Sequence, residues 1–169
     1  MSVVDVAVVV GNPKPNSRTL QAARHVGQSV TEAEIAYELD LISLGGRLIG
    51  WGDAEVSAAV ERVQAADVVV FASPTYKASY TGLLKLFLDQ FSAGSLAGTV
   101  AIGLMLGGSP AHSLAAEVHL KPVLTELGAW QPAPALYLID SEWQQSSALA
   151  DWLPAARTAV SRLVTDSQE

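Results

Sequence analysis

The feature that most constrains this chain is a set of short, almost wholly apolar runs, each closed by glycine or proline and followed by residues at helical spacing. Val3 to Val10 is nearly continuous β-branched sequence, interrupted by Asp5 and Ala7; Val68-Val69-Val70-Phe71 and Thr99 to Leu106 have the same character. A strand with one wet face alternates apolar and polar residues. A strand without alternation is buried on both faces, as in a parallel sheet covered by helices. Ile35 to Leu41 does alternate and reads as a more exposed strand, and Leu136 to Ile139 reads as a short fifth one.

Helical patterns fill the intervals. Asn16 or Ser17 can cap a helix carrying Leu20, Ala23, Val26 and Val30 on one face. Asp53 caps a second through Val56, Val60 and Val63, after an irregular stretch from Ser43 to Gly52 that contains Trp51. A turn at Ser73-Pro74 precedes a third, with Leu83, Leu84, Leu86, Phe87 and Phe91. A fourth runs from Ser109 to Leu127 with a kink expected at Pro122, and a last one surrounds Trp152 to Leu163. Alternation of strand and helix with short turns implies right-handed crossovers and helices on both faces of a parallel sheet. Five strands suit the doubly wound order 2-1-3-4-5, whose ligand crevice lies outside the carboxyl ends of the strands.

Composition narrows the function. The 169 residues are 50% hydrophobic and 16% charged, which suits one folded domain over residues 1–169 and excludes a disordered chain. No apolar run approaches the length of a membrane span, and Met1 to Asp5 lacks the basic start of a signal peptide, so a cytoplasmic protein with no membrane partner is expected. The absence of cysteine removes disulfides, thiolate metal sites and thiol nucleophiles. A net charge of −7 argues against a nucleic-acid surface, although backbone N–H groups and one or two local cations can still hold a single phosphate.

Three loops at the carboxyl ends of strands one, three and four are candidates for such work. Gly11-Asn12-Pro13-Lys14-Pro15-Asn16-Ser17-Arg18-Thr19 leads into a helix N-terminus, where free N–H groups and the dipole attract an anion. Ser17 and Thr19 can donate to phosphate oxygens and Arg18 can supply charge; a plain capped helix with a surface arginine is the equal alternative. The loop lacks both the glycine spacing of a dinucleotide fingerprint and the Gly-Lys-Ser/Thr end of a P-loop. In Ser73 to Gly82, Tyr76 and Tyr80 offer flat amphipathic surfaces, with Tyr80 assigned to packing; Lys77 can approach a ligand, with a merely solvated loop lysine as the alternative. In Gly107-Gly108-Ser109-Pro110-Ala111-His112, Ser109 is a good cap, and the glycines let backbone N–H groups come close to a ligand. His25 and His119 have no partner at metal-ligand spacing, so no metal site is assigned, and Asp89 reads as the ion-pair partner of Lys85 on one helix.

At these loops the chain resembles the NADPH-dependent FMN reductase family, most closely the sulfonate-utilisation reductases that supply reduced flavin to two-component monooxygenases. The stretches that carry the likeness are Gly11 to Leu20, Ser73 to Asp89 and Gly107 to Leu124. The resemblance implies a flavodoxin-like three-layer sandwich that binds FMN and takes a hydride from NADPH or NADH. It further implies a homodimer or homotetramer and a flavin-dependent monooxygenase as partner. Ser17, Arg18, Thr19 and Leu20 would hold the FMN phosphate. Pro74, Thr75, Tyr76 and Lys77 would flank the isoalloxazine, and Gly107, Gly108 and Ser109 would contact its pyrimidine side. No residue is assigned as catalytic, His112 included, because hydride transfer to flavin needs no protein base.

Some sulfonate-system reductases carry an extra tyrosine in the fourth helix, linked to releasing FMN as a substrate; Glu117-Val118-His119 stands near that place here. A bound FMN passing electrons to a quinone or azo dye is therefore the alternative. A flavodoxin-type electron carrier is another, although Asn12-Pro13-Lys14-Pro15 departs from a Thr/Ser-rich phosphate loop. A regulatory module ranks last, since Gly11-Asn12-Pro13 stands where an acidic cluster is needed.

Overall fold

The computed structural model describes residues 4–166. The elements are β1 (Val6–Val10), α1 (Arg18–Thr31), β2 (Ile35–Asp40), α2 (Ala54–Gln64), β3 (Val68–Pro74), α3 (Gly82–Leu88), β4 (Val100–Gly107), α4 (Lys121–Glu126), β5 (Leu136–Ile139) and α5 (Ser147–Asp166). All strand pairings are parallel, and the order is β2-β1-β3-β4-β5, as the alternation predicts. The expected first residue of β1, Val3, lies outside the described residues; Val4 and Asp5 precede the strand.

The two-sided burial of the central strands follows from the period of a strand. Val6, Val8 and Val10 of β1 join one core with Val68, Val70 and Ala72, covered by Leu20, Ala23 and Val26 of α1 and Ala156 and Val160 of α5. Ala7 and Val9 join the other with Val69 and Phe71, covered by Val60 of α2, Phe87 of α3 and Leu124 of α4. Successive side chains point to opposite faces, and both faces are dry, so no polar position remains in the run. At about 0.8 kcal/mol per buried CH₂, each such valine contributes roughly 2 kcal/mol of transfer free energy.

Helix starts follow the capping chemistry. Ser17 caps α1, its hydroxyl accepting from the Leu20 N–H, and Asp53 caps α2 by accepting from Glu55 and Val56. The helix around Phe87 stops at Leu88; Phe91 lies beyond its end and packs edge-on against Phe87 at 5.3 Å. The final helix runs over Ser147–Asp166 and so surrounds Trp152 to Leu163 as expected.

Two expectations require correction. Ser73 and Pro74 are not a turn: β3 continues through Pro74, paired with Leu106 of β4. The Thr75 N–H donates to Leu106, so by alternation Pro74 faces the β1 side, where β1 has already ended at Val10 and no donor is needed. Nor is the segment from Ser109 to Leu127 one regular helix. A 3₁₀ turn at Pro110–His112 is followed by a π turn at Ala116–Leu120 that runs into α4. Pro122 has no N–H and its ring crowds the carbonyl of Val118; the widened turn lies directly before it, where the sequence leads one to expect a kink. Glu117 braces this turn, bonding Lys121 at 2.6 Å and accepting from the Ala135 N–H at 2.8 Å. Burial works to raise the Glu117 carboxyl, yet the hydrogen bonds from Lys121 and Ala135 carry it below its ordinary value.

Candidate functional site

The carboxyl ends of four strands are tied together by hydrogen bonds. The Gly11 N–H donates to Ala72 at 2.9 Å, Thr75 to Leu106 at 2.7 Å and Asp140 to Gly107 at 2.9 Å. The Thr81 hydroxyl, which caps α3, donates to the Gly11 carbonyl at 2.5 Å. Gly11 is needed there for space, because a Cβ would lie 2.5 Å from that of Leu84. Outside this edge lies a cavity of about 510 Å³, bordered by Ser17, Arg18, Pro74, Thr75, Tyr76, Gly107 and Gly108, together with Asn12, Lys14, Asn16, Gln21, Leu106 and Asp140. Ligand clefts span about 300–1,000 Å³.

The loop after β1 is built around Asn12. Its side-chain carbonyl accepts from the Lys14 N–H at 2.9 Å, and its amide donates to the Thr19 hydroxyl at 3.0 Å. Asn16 adopts φ 52°, a left-handed conformation that asparagine tolerates, with its N–H on Asp40 at 3.1 Å. Burial raises the Asp40 carboxyl above its ordinary value against the pull of the Asn16 and Ile42 N–H groups. The Ser17 hydroxyl accepts from Leu20, which leaves its proton free to donate toward the cavity. Helix geometry leaves the N–H groups of Arg18 and Thr19 without intrahelical acceptors. The side chains of Thr19 and Leu20 are turned inward, Thr19 onto Asn12 and Leu20 into the core, and neither borders the cavity.

The loop after β3 presents Pro74, Thr75 and Tyr76 to the cavity. Lys77 does not border it. Lys77 and Ala78 form the tip of a tight turn, at φ 50° and 65°, closed by reciprocal backbone bonds between Tyr76 and Ser79. Two consecutive positive φ values at residues other than glycine or asparagine store strain, a pattern that concentrates at ligand-holding loops. Tyr76 is 51% exposed, while Tyr80 packs against the core and its hydroxyl is raised by burial.

The two glycines after β4 differ. A Cβ on Gly107 would lie 1.8 Å from the Tyr137 hydroxyl, so this glycine makes room for a tyrosine of β5, and its backbone borders the cavity. A Cβ on Gly108 meets nothing within 4 Å, and Gly108 borders the cavity. The Tyr137 hydroxyl donates to the Ser109 carbonyl at 2.8 Å and so pins the loop; Ser109 itself caps the 3₁₀ turn and does not border the cavity. Among the described residues no group of three or more His, Asp or Glu is placed to hold a metal ion. His25 packs its ring against Trp143.

Sequence reasoning missed Asp140, Gln21, Leu106 and the bracing role of Asn12. Asp140 is the first residue after β5, and its carboxylate lies 2.6 Å from the Arg18 guanidinium. Its position at the carboxyl end of the fifth strand was the available signal, since the crevice rule applies to every strand of the sheet.

Residues 4–144 match the model of the family described as NADPH-dependent FMN reductase. The chain belongs to the NADPH-dependent FMN reductase family. It is 42% identical to an FMN reductase (NADPH) of Escherichia coli strain K12 over 82 residues, which cover 48% of this chain and 43% of that protein. The match therefore spans less than half of that relative's length. It is 33% identical to an NADH-dependent FMN reductase, SfnF, of Pseudomonas putida over 131 residues, 72% of this chain and 70% of that protein. Among solved structures, the apo form of an NADH:FMN oxidoreductase (EMOB) superposes with a TM-score of 0.81 at 30% identity, covering 97% of this chain and 90% of that one. No described helix is long and apolar enough to cross a membrane.

Proposed function

We propose that this chain is a reductase that passes a hydride from NADPH or NADH to FMN bound in the cavity beside the strand ends. The observation that carries the reading is that one cavity is lined by two unlike sets of groups. One is a helix N-terminus with the Ser17 hydroxyl and Arg18; the other is Gly108, open to solvent, and Thr75, whose hydroxyl oxygen is buried without a hydrogen-bond partner. A phosphate suits the first set and the polar rim of a flat ring the second. An unsatisfied buried hydroxyl costs about 1–3 kcal/mol, which a ligand bond would recover.

In this reading Ser17, Arg18 and the N–H groups of Arg18 and Thr19 bind the phosphate, with Leu20 anchoring the first turn from the core. Pro74, Thr75 and Tyr76 flank the ring and exclude water from one side. Backbone groups of Gly107, Gly108 and Ser109 lie near its pyrimidine edge, where N–H donors stabilise negative charge. Lys77, at the turn tip, meets the entering nicotinamide cofactor. FMN, when bound, supplies the hydride-accepting ring; the protein supplies orientation and electrostatics. Both NADPH and NADH occur in the names of relatives, and the chain is proposed to accept either.

We extend the proposal to one domain over residues 1–169, a cytoplasmic location, a homodimer or homotetramer, and a flavin-dependent monooxygenase as the consumer of reduced FMN. Trp51 and Ile49, each 76% exposed, are apolar surface that an interface would cover. The test is NADPH and NADH oxidation by the purified chain with and without added FMN. Oxidation that rises with FMN until it saturates is expected. FMN binding without nicotinamide oxidation would make the chain an electron carrier, and no flavin binding would end the reading. Light scattering at micromolar concentration should give at least a dimer; a monomer contradicts that part.

A further inference from the structure

The charges around the cavity do not all favour an anion. Among the described residues, Lys14 and Arg18 are the cations that border it, and Asp140 is the one carboxylate. Asp140 Oδ2 lies 2.6 Å from Arg18 Nη2, with the two side chains 32% and 60% exposed. The Asp140 backbone N–H donates to the Gly107 carbonyl at 2.9 Å, which fixes the main chain that carries the carboxylate directly after β5. The second acid nearby, Asp40, holds the Asn16 N–H and does not border the cavity.

We propose that Asp140 sets how tightly FMN is held, by sharing the Arg18 guanidinium with the phosphate and so keeping the flavin exchangeable. The proposal rests on the phosphate-site reading above. A phosphate monoester carries about −1.5 to −2 charges at neutral pH. It reaches Arg18 in one of two ways. It pulls the guanidinium from Asp140, losing a charge-assisted bond, or it sits on the same fork with a carboxylate a few ångströms away. Either way the affinity falls below what Lys14, Arg18 and the helix N-terminus would give alone. For a doubly charged phosphate about 7 Å from one carboxylate in a solvated setting, the repulsion amounts to about fivefold to tenfold in affinity. Riboflavin, which has no phosphate, does not feel it.

The test is a fluorescence titration of FMN and of riboflavin into the wild-type chain, Asp140→Asn and Asp140→Ala, with melting temperatures to show that all three are folded. Asp140→Asn keeps the size of the side chain and removes its charge. It should tighten FMN by about fivefold to tenfold and leave riboflavin within about twofold, and added salt should shrink the gain because the pair is exposed. Asp140→Ala should shift FMN in the same direction. Unchanged FMN affinity in a wild type that prefers FMN over riboflavin overturns the proposal alone. Weakened FMN binding in both variants overturns it by making Asp140 a positioning residue for Arg18. Equal tightening of both flavins overturns it too, by placing the effect on the ring. A wild type that binds the two flavins equally, or neither, removes the phosphate-site reading and this proposal with it.

Discussion

The loops after β1 and β4 end at the same cavity but are constructed on opposite plans. The first is braced from within: Asn12 ties Lys14 and Thr19, Ser17 caps α1, and the charged groups Lys14 and Arg18 point outward. The second has no charge and little internal bonding. It is held from outside by Tyr137, whose hydroxyl fills the space beside Gly107 and grips the Ser109 carbonyl. The difference teaches what each loop can do. A loop with cations and a helix N-terminus supplies binding that is the same before and during reaction. A bare backbone loop held rigidly supplies donors whose value rises as charge develops on what it faces.

Substitutions can break or sharpen that contrast. The largest effect is expected from Gly108→Val. Its Cβ meets no protein atom within 4 Å, so the fold should tolerate it, while the side chain occupies the space the backbone shows to the cavity. Turnover at saturating FMN should fall by about a hundredfold, the scale of losing one preorganised donor. Full recovery at high FMN would show that the loop only binds.

Gly107→Ala should behave in the reverse manner. The new methyl must displace Tyr137 and its bond to Ser109, at about 2–3 kcal/mol, lowering the melting temperature by roughly 5–10 °C. A melting temperature within a degree of wild type would mean that Tyr137 does not hold this loop. Arg18→Ala is the mildest of the three. Arg18 is already engaged by Asp140, so the FMN dissociation constant should rise by about tenfold, the low end for a charge-assisted bond. Turnover should return at saturating FMN, since the lost contact is remote from the reacting ring. A persistent loss would reverse the roles assigned to the two loops.

The fold was legible because the central strands leave no choice. Val6–Val10 and Val68–Phe71 are apolar at every position, β-branched or aromatic almost throughout and too short for a helix, a pattern that suits a sheet covered on both faces. The N-caps at Ser17 and Asp53 were legible for the same local reason. The π turn at Ala116–Leu120 was not, because it depends on how the helix settles before Pro122 and on the bond from Glu117 to Ala135, which is distant in sequence. Ser17, Arg18, Pro74, Thr75, Tyr76 and Gly108 could be placed at one edge from their strand ends alone. The reason for Gly107 could not, since it rests on a side chain from β5, and Asp140 stood as one acid among many until the sheet order put it beside Arg18.

The central claim is that the helix N-terminus at Ser17 and Arg18 holds a phosphate attached to a flavin whose ring lies toward Thr75 and Gly108. The direct measurement is the dissociation constant of the wild-type chain for FMN against that for riboflavin, by fluorescence titration in one buffer. The account predicts FMN tighter by about tenfold to a hundredfold, the worth of one or two charge-assisted contacts. Equal affinity for the two flavins would contradict it.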